Sequence, residues 1–313
     1  MKFMSTRKKW QIIKSEPKLD PAMRLLKAIH SAGSPEELNP EDLKKQRRNQ
    51  EILGNLTAPM AGMEWEPFEI QEIPAAWMKL KRPHKKKHAI LYCHGGGYTS
   101  GNLGYSKVLA SKMTQATGFD VLAFEYRLAP EFPYPAALND CEAVWNHLMY
   151  LGYGARDIVI AGDSAGGNLA LSFCQKLRED GRMLPGAMLL MSPWTDMTLS
   201  GKSHVQRAPF DPMLTDEYLS SMAAAYAGSM ELSSPLLSPL FGSFKDFPPT
   251  LIQVGTHEIL YSDSELLSKK MKAAGVPCQM ETWEDMWHVF QMFPLKKSAL
   301  AMDSLAHFLL EQL

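Results

Sequence analysis

The segment Gly162-Asp163-Ser164-Ala165-Gly166 stands between an apolar run, Asp157 to Ala161, and a helix-like run, Ala165 to Leu177. A serine flanked in this way marks a sharp strand-to-helix turn. Small residues two positions either side let neighbouring backbone approach the strained corner. The following helix points its N-terminus at the serine, where positive partial charge favours a developing oxyanion. A bare G-x-S-x-G is common in loops; the strand before it and the helix after it make this one specific.

The rest of the chain repeats the same alternation. Candidate strands are Glu66–Ile70, Ala76–Leu80, His88–Cys93, Val121–Glu125, Asp157–Ala161, Ala187–Met191, Thr250–Val254 and Cys278–Trp283. Helical runs cover Ser106–Thr117, Ala136–Leu151, Ala165–Arg178, Asp263–Ala274 and Leu295–Leu313, and Gly118, Gly152 and Gly275 follow three of them as C-caps would. Such alternation predicts a mostly parallel sheet covered by helices on both faces, with an antiparallel start where the first two strands connect closely. Before it, residues 1 to about 55 are polar and divided by Pro17, Pro21, Pro35 and Pro40. Leu25, Leu26 and Ile29 share one helical face, and Asn39-Pro40 reads as a helix start. Between Met191 and Thr250 the alternation fails over a stretch longer than a crossover needs, with a helix-like piece at Met222–Tyr226.

A second glycine motif, His94-Gly95-Gly96-Gly97-Tyr98, follows the third strand. Glycines without Cβ can turn their N–H groups toward a ligand, and acyl transfer needs such donors for the tetrahedral oxyanion. The expected donors are Gly95 and Gly96 of this loop, with Ala165 after the serine.

With these residues in view, the chain resembles the bacterial hormone-sensitive-lipase-like esterases of the α/β-hydrolase fold. The matching segments are His94 to Tyr98, Tyr126 to Glu131, Phe132 to Ala137, Gly162 to Gly167, Asp211 to Leu214, and the Ser-Pro-Leu repeats at 234–236 and 238–240. They span about residues 65 to 310 in the family's order. The resemblance implies an α/β fold with about eight mostly parallel strands flanked by helices, and a mainly helical cap. Residues 1–55 would form the first part of the cap, and an insertion at about 197–235 in the 56–313 core would form the second.

The family's chain order of serine, acid and histidine guides the remaining assignments. His288 follows the last strand in a stretch resembling G-x-x-H-x-F, although Asp285 replaces the usual glycine. Where the family carries Asp-Pro-Leu, this chain has Glu258-Ile259-Leu260, so Glu258 takes the acid position; Asp263 is the rival and also reads as a helix-capping residue. His257-Glu258 does not begin a zinc motif, because Tyr261 stands where the second histidine would be. His307 reads as a surface or packing histidine. Candidate pocket residues are Tyr98, Trp194, Phe210, Met213 and Leu214, with Trp287 and Val289 beside the histidine; ordinary packing is the alternative for each. Asp163 is expected to hold neighbouring loops, and Arg127 to pair with Glu131.

The resemblance implies a serine carboxylesterase that acts through an acyl-enzyme on short- to medium-chain esters, of about two to eight acyl carbons. A lactonase or amidase would use the same machinery. A ligand-binding receptor on the same fold is the non-catalytic alternative, and it would lack the histidine. No cofactor and no metal is expected, and the partner is a small-molecule ester. The net charge of −1 argues against nucleic-acid capture, and the Lys85-Lys86-Lys87 run reads as a solvated turn. Four separated cysteines, no signal-like leader and no long apolar run point to a reduced cytoplasmic protein without stable membrane anchoring. The resemblance adds a homodimer through the eighth strand, Cys278–Trp283.

Overall fold

Eight strands and eight α-helices alternate through the described part of the chain: α1 (Pro40–Leu56), β1 (Met63–Ile70), β2 (Ile73–Leu80), β3 (Ala89–Cys93), α2 (Leu103–Thr117), β4 (Asp120–Phe124), α3 (Ala136–Tyr150), β5 (Ile158–Asp163), α4 (Ala165–Glu179), β6 (Ala187–Met191), α5 (Ser203–Gln206), α6 (Asp216–Ala227), β7 (Thr250–Gly255), α7 (Tyr261–Ala273), β8 (Cys278–Trp283) and α8 (Lys296–Gln312). The structure is a computed structural model, and it describes residues 39–56, 59–82 and 87–313. The expected face of Leu25, Leu26 and Ile29, the breaks at Pro17, Pro21 and Pro35, and Lys85 and Lys86 lie outside these residues. The strands form one sheet in the order β1-β2-β4-β3-β5-β6-β7-β8. β1 and β2 pair antiparallel, β2 runs antiparallel to β4, and every later pairing is parallel. Gln71 and Glu72, with φ of 49° and 70°, form the two-residue turn between β1 and β2. β1 and β2 each begin earlier than their sequence-based bounds, at Met63 and Ile73 rather than Glu66 and Ala76.

The pleat sorts successive residues onto opposite faces. On one face Leu91, Leu122, Ile160, Leu190 and Ile252 pack with α3, α4 and α7. On the other Ile90, Val121, Val159, Leu189 and Leu251 pack with α2 and α8. β5 is buried along its whole length, as the centre of a twice-covered parallel sheet must be. Each fully buried leucine or isoleucine contributes about 1.5–3 kcal/mol over exposure.

Between β6 and β7 lie α5 and α6. Thr215 caps α6, its Oγ1 accepting from Tyr218 N at 3.2 Å. Met222 of α6 sits directly over the glycine loop; a Cβ on Gly97 would stand 1.8 Å from the Met222 sulfur. His204 of α5 brings its Nδ1 to 2.6 Å from Asp216 of α6, while its Nε2 lies 3.8 Å from Asp263 of α7.

The N-terminal helix α1 begins as its cap signal predicts, with Asn39 Oδ1 accepting from Asp42 N at 2.8 Å. It is fastened by Arg47, which donates to Thr99 O and Ala129 O at 2.7 Å and forks onto Glu131 at 2.8 and 2.9 Å. Glu131 is therefore the partner of Arg47 and not of Arg127. Arg127 instead grips Asp140 on α3, with contacts of 2.7 and 3.0 Å. The fork geometry of guanidinium and carboxylate selects the partner that faces it across elements over the one nearer in sequence.

Candidate active site

At the C-terminal end of β5 the chain reverses into α4 through Ser164, which adopts φ 53° and ψ −121°. A non-glycine residue held there costs about 1–3 kcal/mol, so its surroundings must over-determine it. Ser164 N donates to Met191 O at 3.0 Å, and Ser164 O accepts from Asn168 N and Trp194 N. The flanking glycines are required by close approach. A Cβ on Gly162 would stand 2.2 Å from Gly166 O, and one on Gly166 would stand 2.0 Å from Cys93 O.

Asp163, one residue before the serine, is buried and ties β5 to the glycine loop. Its carboxylate accepts from Tyr92 Oη at 2.5 Å, Tyr105 Oη at 2.6 Å and Gly95 N at 2.9 Å. Burial pushes its pKa up, against the three donors that favour the charged form. This bond changes the expected oxyanion set, because the Gly95 N–H is spent on Asp163. The turn then carries Gly96 and Gly97, at φ 117° and 62°, into the cavity that holds Ser164.

The carboxylate of Glu258 and the imidazole of His288 meet behind the serine, both buried. His288 Nδ1 lies 3.2 Å from Glu258 Oε2. Glu258 Oε1 accepts from Gly255 N at 2.5 Å and from Ser192 Oγ at 2.8 Å. Ser192 Oγ in turn accepts from Val289 N at 3.1 Å, so one hydroxyl links the acid to the residue after the histidine. Asp285 adopts φ 58°, a conformation aspartate tolerates, and its N donates to Thr256 Oγ1 at 2.9 Å. Burial alone would lower the His288 pKa. The hydrogen bond and charge of Glu258, joined by the charges of Asp211 and Asp163, outweigh it and raise the pKa above 6.5.

Asp211 closes the back of this arrangement. Its buried carboxylate accepts from Met213 N at 2.8 Å, Leu214 N at 3.0 Å and Ile259 N at 2.8 Å. It thus joins the segment before α6 to the loop carrying Glu258. Burial pushes its pKa up to about 6, against those three N–H donors and the His288 charge. Asp263, the rival acid, faces away from His288. It accepts from Thr195 N and Asp196 N at 2.7 and 2.9 Å and so braces the exit of β6 rather than capping its own helix.

Ser164 and His288 open into one cavity of about 220 Å³. Of the residues expected to line it, Met213, Leu214 and Val289 do so. The others do not line it. Tyr98 stacks on Tyr226 with ring centroids 3.6 Å apart and donates to Asn168 Oδ1 at 2.7 Å. Trp194 is fully buried, its Nε1 donating to Asp196 O at 3.2 Å. Phe210 stacks on His257, and Trp287 packs on Phe293. Apolar character predicted burial for these side chains, but not which way each one faces. The lining also includes residues sequence reasoning missed: Leu219 and Met222 of α6, Met292 and Phe293 after the histidine, and Gln46 of α1 with Tyr218. Lys112 secures the Met292–Phe293 wall by donating to Gln291 O at 2.5 Å and Phe293 O at 2.8 Å.

Among the described residues, no group of three or more His, Cys, Asp or Glu side chains is arranged to hold a metal ion, and no helix is long and apolar enough to cross a membrane. The four cysteines are unbridged; Cys93 and Cys141 sulfurs lie 4.0 Å apart.

Comparison with known proteins sets this geometry beside related chains. A family model described as the α/β-hydrolase fold matches residues 90–292. An acetyl-hydrolase of Streptomyces hygroscopicus is 36% identical over 246 residues, covering 79% of this chain and 80% of the relative. An esterase of Acinetobacter venetianus is 35% identical over 228 residues, covering 71% and 75%. The crystal structure of an esterase from the bacterial hormone-sensitive lipase family superposes with a TM-score of 0.85 at 34% identity, over 94% of this chain and 98% of that one.

Proposed function

The chain belongs to the α/β-hydrolase family, among its hormone-sensitive-lipase-like members, and from that premise we propose a serine carboxylesterase working through Ser164, His288 and Glu258. Relatives named esterase and acetyl-hydrolase make it a carboxylic ester hydrolase. The observation that carries the residue assignment is a strained serine opening onto the same cavity as His288, whose Nδ1 lies 3.2 Å from buried Glu258. Neutral His288 takes the Ser164 proton at Nε2 while the oxygen attacks the ester carbonyl. The developing oxyanion is held by the N–H groups of Gly96, Gly97 and Ala165 at the N-terminus of α4. Glu258 keeps the Nδ1 proton in place and stabilises the imidazolium. The imidazolium then protonates the leaving alcohol, and water hydrolyses the acyl-enzyme with His288 again as base.

A cavity of about 220 Å³ favours short acyl esters, since pockets for drug-sized ligands start at about 300 Å³. The helices between β6 and β7 form the cap over it, together with α1. A homodimer through the outer edge of β8, which has no partner strand among the described residues, belongs to the same reading. So does a cytoplasmic location, which the four free cysteines fit. The receptor alternative has no supporting observation, because the histidine stands against its acid.

The test is Ser164→Ala, assayed on p-nitrophenyl butyrate, with an organophosphate label mapped by mass spectrometry. The label is expected on Ser164, and the folded variant is expected to lose nearly all turnover. Retained turnover would overturn the assignment.

A further inference from the structure

On α6 the cavity wall carries apolar Leu219 and Met222, and beside them polar Tyr218. Gln46, on α1, donates from Nε2 to Tyr218 Oη at 2.9 Å. Both side chains line the cavity that holds Ser164 and His288. The Gln46 Oε1 atom is buried and has no hydrogen-bond partner among the described residues. Because Tyr218 Oη already accepts from Gln46, its own hydrogen is left to donate. Burial raises the Tyr218 pKa, so the phenol keeps that hydrogen. The other polar groups of the lining are engaged: Tyr105 Oη donates to Asp163 at 2.6 Å and Ser100 Oγ to Gly96 O at 3.1 Å.

The pair therefore presents one unfilled acceptor beside one unfilled donor. Turning the amide over would exchange which atoms are bare, but would again leave one donor and one acceptor. A buried polar atom without a partner is costly, and the cost returns when a ligand supplies the missing bond. A hydroxyl group meets both needs at once, giving its hydrogen to Gln46 and accepting from Tyr218. In so small a cavity the pair lies within reach of a short chain attached at Ser164.

We propose that the Gln46–Tyr218 pair is a recognition site for a hydroxyl group on the substrate, so that the preferred esters are short and hydroxylated rather than plain alkyl. An unsubstituted chain leaves the pair unsatisfied and desolvated. Discrimination by a site built to hydrogen-bond a substrate hydroxyl is larger than discrimination by apolar fit. The proposal rests on the carboxylesterase reading, and the two can fail separately.

The experiment compares kcat/KM for p-nitrophenyl esters with and without a hydroxyl: butyrate against 3-hydroxybutyrate, and hexanoate against its 3-hydroxy and 6-hydroxy forms. At least one hydroxylated ester is expected to exceed its plain counterpart by about tenfold or more, as one buried hydrogen bond allows. In Tyr218→Phe and in Gln46→Leu that ratio is expected to fall to within about twofold of unity, with the plain ester equal or better. A pair that served only to hold α1 in place would change the melting temperature and leave the ratio alone, which would overturn the proposal. So would a wild-type ratio near unity for every ester in the series. Absence of turnover on all of them would instead overturn the esterase reading.

Discussion

Replacing Glu258 with glutamine preserves volume and removes the charge, and the surrounding donors decide how the new amide must sit. Oε1 receives hydrogens from Gly255 N and Ser192 Oγ, and Oε2 faces His288 Nδ1. A carboxamide has one oxygen for these two places. With its oxygen toward Gly255 and Ser192, its NH₂ faces His288, which must then accept at Nδ1 and carry its hydrogen on Nε2. That tautomer cannot take the Ser164 proton. With the amide reversed, NH₂ opposes the N–H of Gly255 at a place where the carboxylate oxygen sits 2.5 Å away. The first arrangement wins, and the enzyme is trapped in the unproductive tautomer. In serine-histidine-acid triads this exchange costs about 10⁴ in kcat, or about 5.5 kcal/mol of barrier. Glu258→Gln is thus expected to lower kcat on p-nitrophenyl butyrate by about 10³–10⁴ with KM nearly unchanged. The pH profile supplies an independent readout. General-base action needs neutral His288, and its pKa lies above 6.5 because Glu258 outweighs burial. Without that charge burial prevails, so the acid limb of the residual activity moves to lower pH. A kcat within about tenfold of wild type, or an acid limb that stays in place, would refute this account of the acid.

Asp263→Asn is expected to keep kcat within a few-fold while costing about 1–3 kcal/mol in urea unfolding, since it braces Thr195 and Asp196 and does not meet His288. Asp211→Asn removes the anion that gathers Met213, Leu214 and Ile259 N–H groups; kcat/KM is expected to fall about tenfold, read by steady-state kinetics. Burial would lower the pKa of His204, but Asp263 and Asp216 raise it above 6.5. A raised folded pKa contributes stability that is fully present below about pH 6.5 and lost as pH rises through the folded value. Melting temperatures of wild type are expected to show that loss, and His204→Gln to lack it. Across p-nitrophenyl acyl esters, kcat/KM is expected to peak at short chains and to be lowest for palmitate, because the cavity offers about 220 Å³.

What the sequence disclosed depended on how local the signal was. The strand-to-helix turn at Ser164 was legible because strand, serine, glycines and helix are contiguous. The sheet was legible because its alternation repeats, and Glu258 followed from its register after β7. The structure brings Glu258 to His288 across 30 positions of chain. That the Gly95 N–H is taken up by a carboxylate was not legible, since Asp163 lies 68 positions away. Arg127 was misassigned for the same reason: Asp140 reaches it only through the packing of α3. Gln46 carried no signal at all, because a glutamine on a polar helix looks like any solvated residue until Tyr218 is set beside it.

Arg47 grips α1 to the rest of the molecule through the carbonyl oxygens of Thr99 and Ala129, which almost any residue at those positions would present, and through the carboxylate of Glu131. Of these three contacts, only the one with Glu131 depends on side-chain identity on the receiving surface. The neighbouring position, 46, faces the reaction chamber without sharing in that grip. A chain built this way separates the means of attachment from the means of selection. Its substrate preference can drift through substitutions at one exposed-looking helix position while serine, base and acid stay untouched.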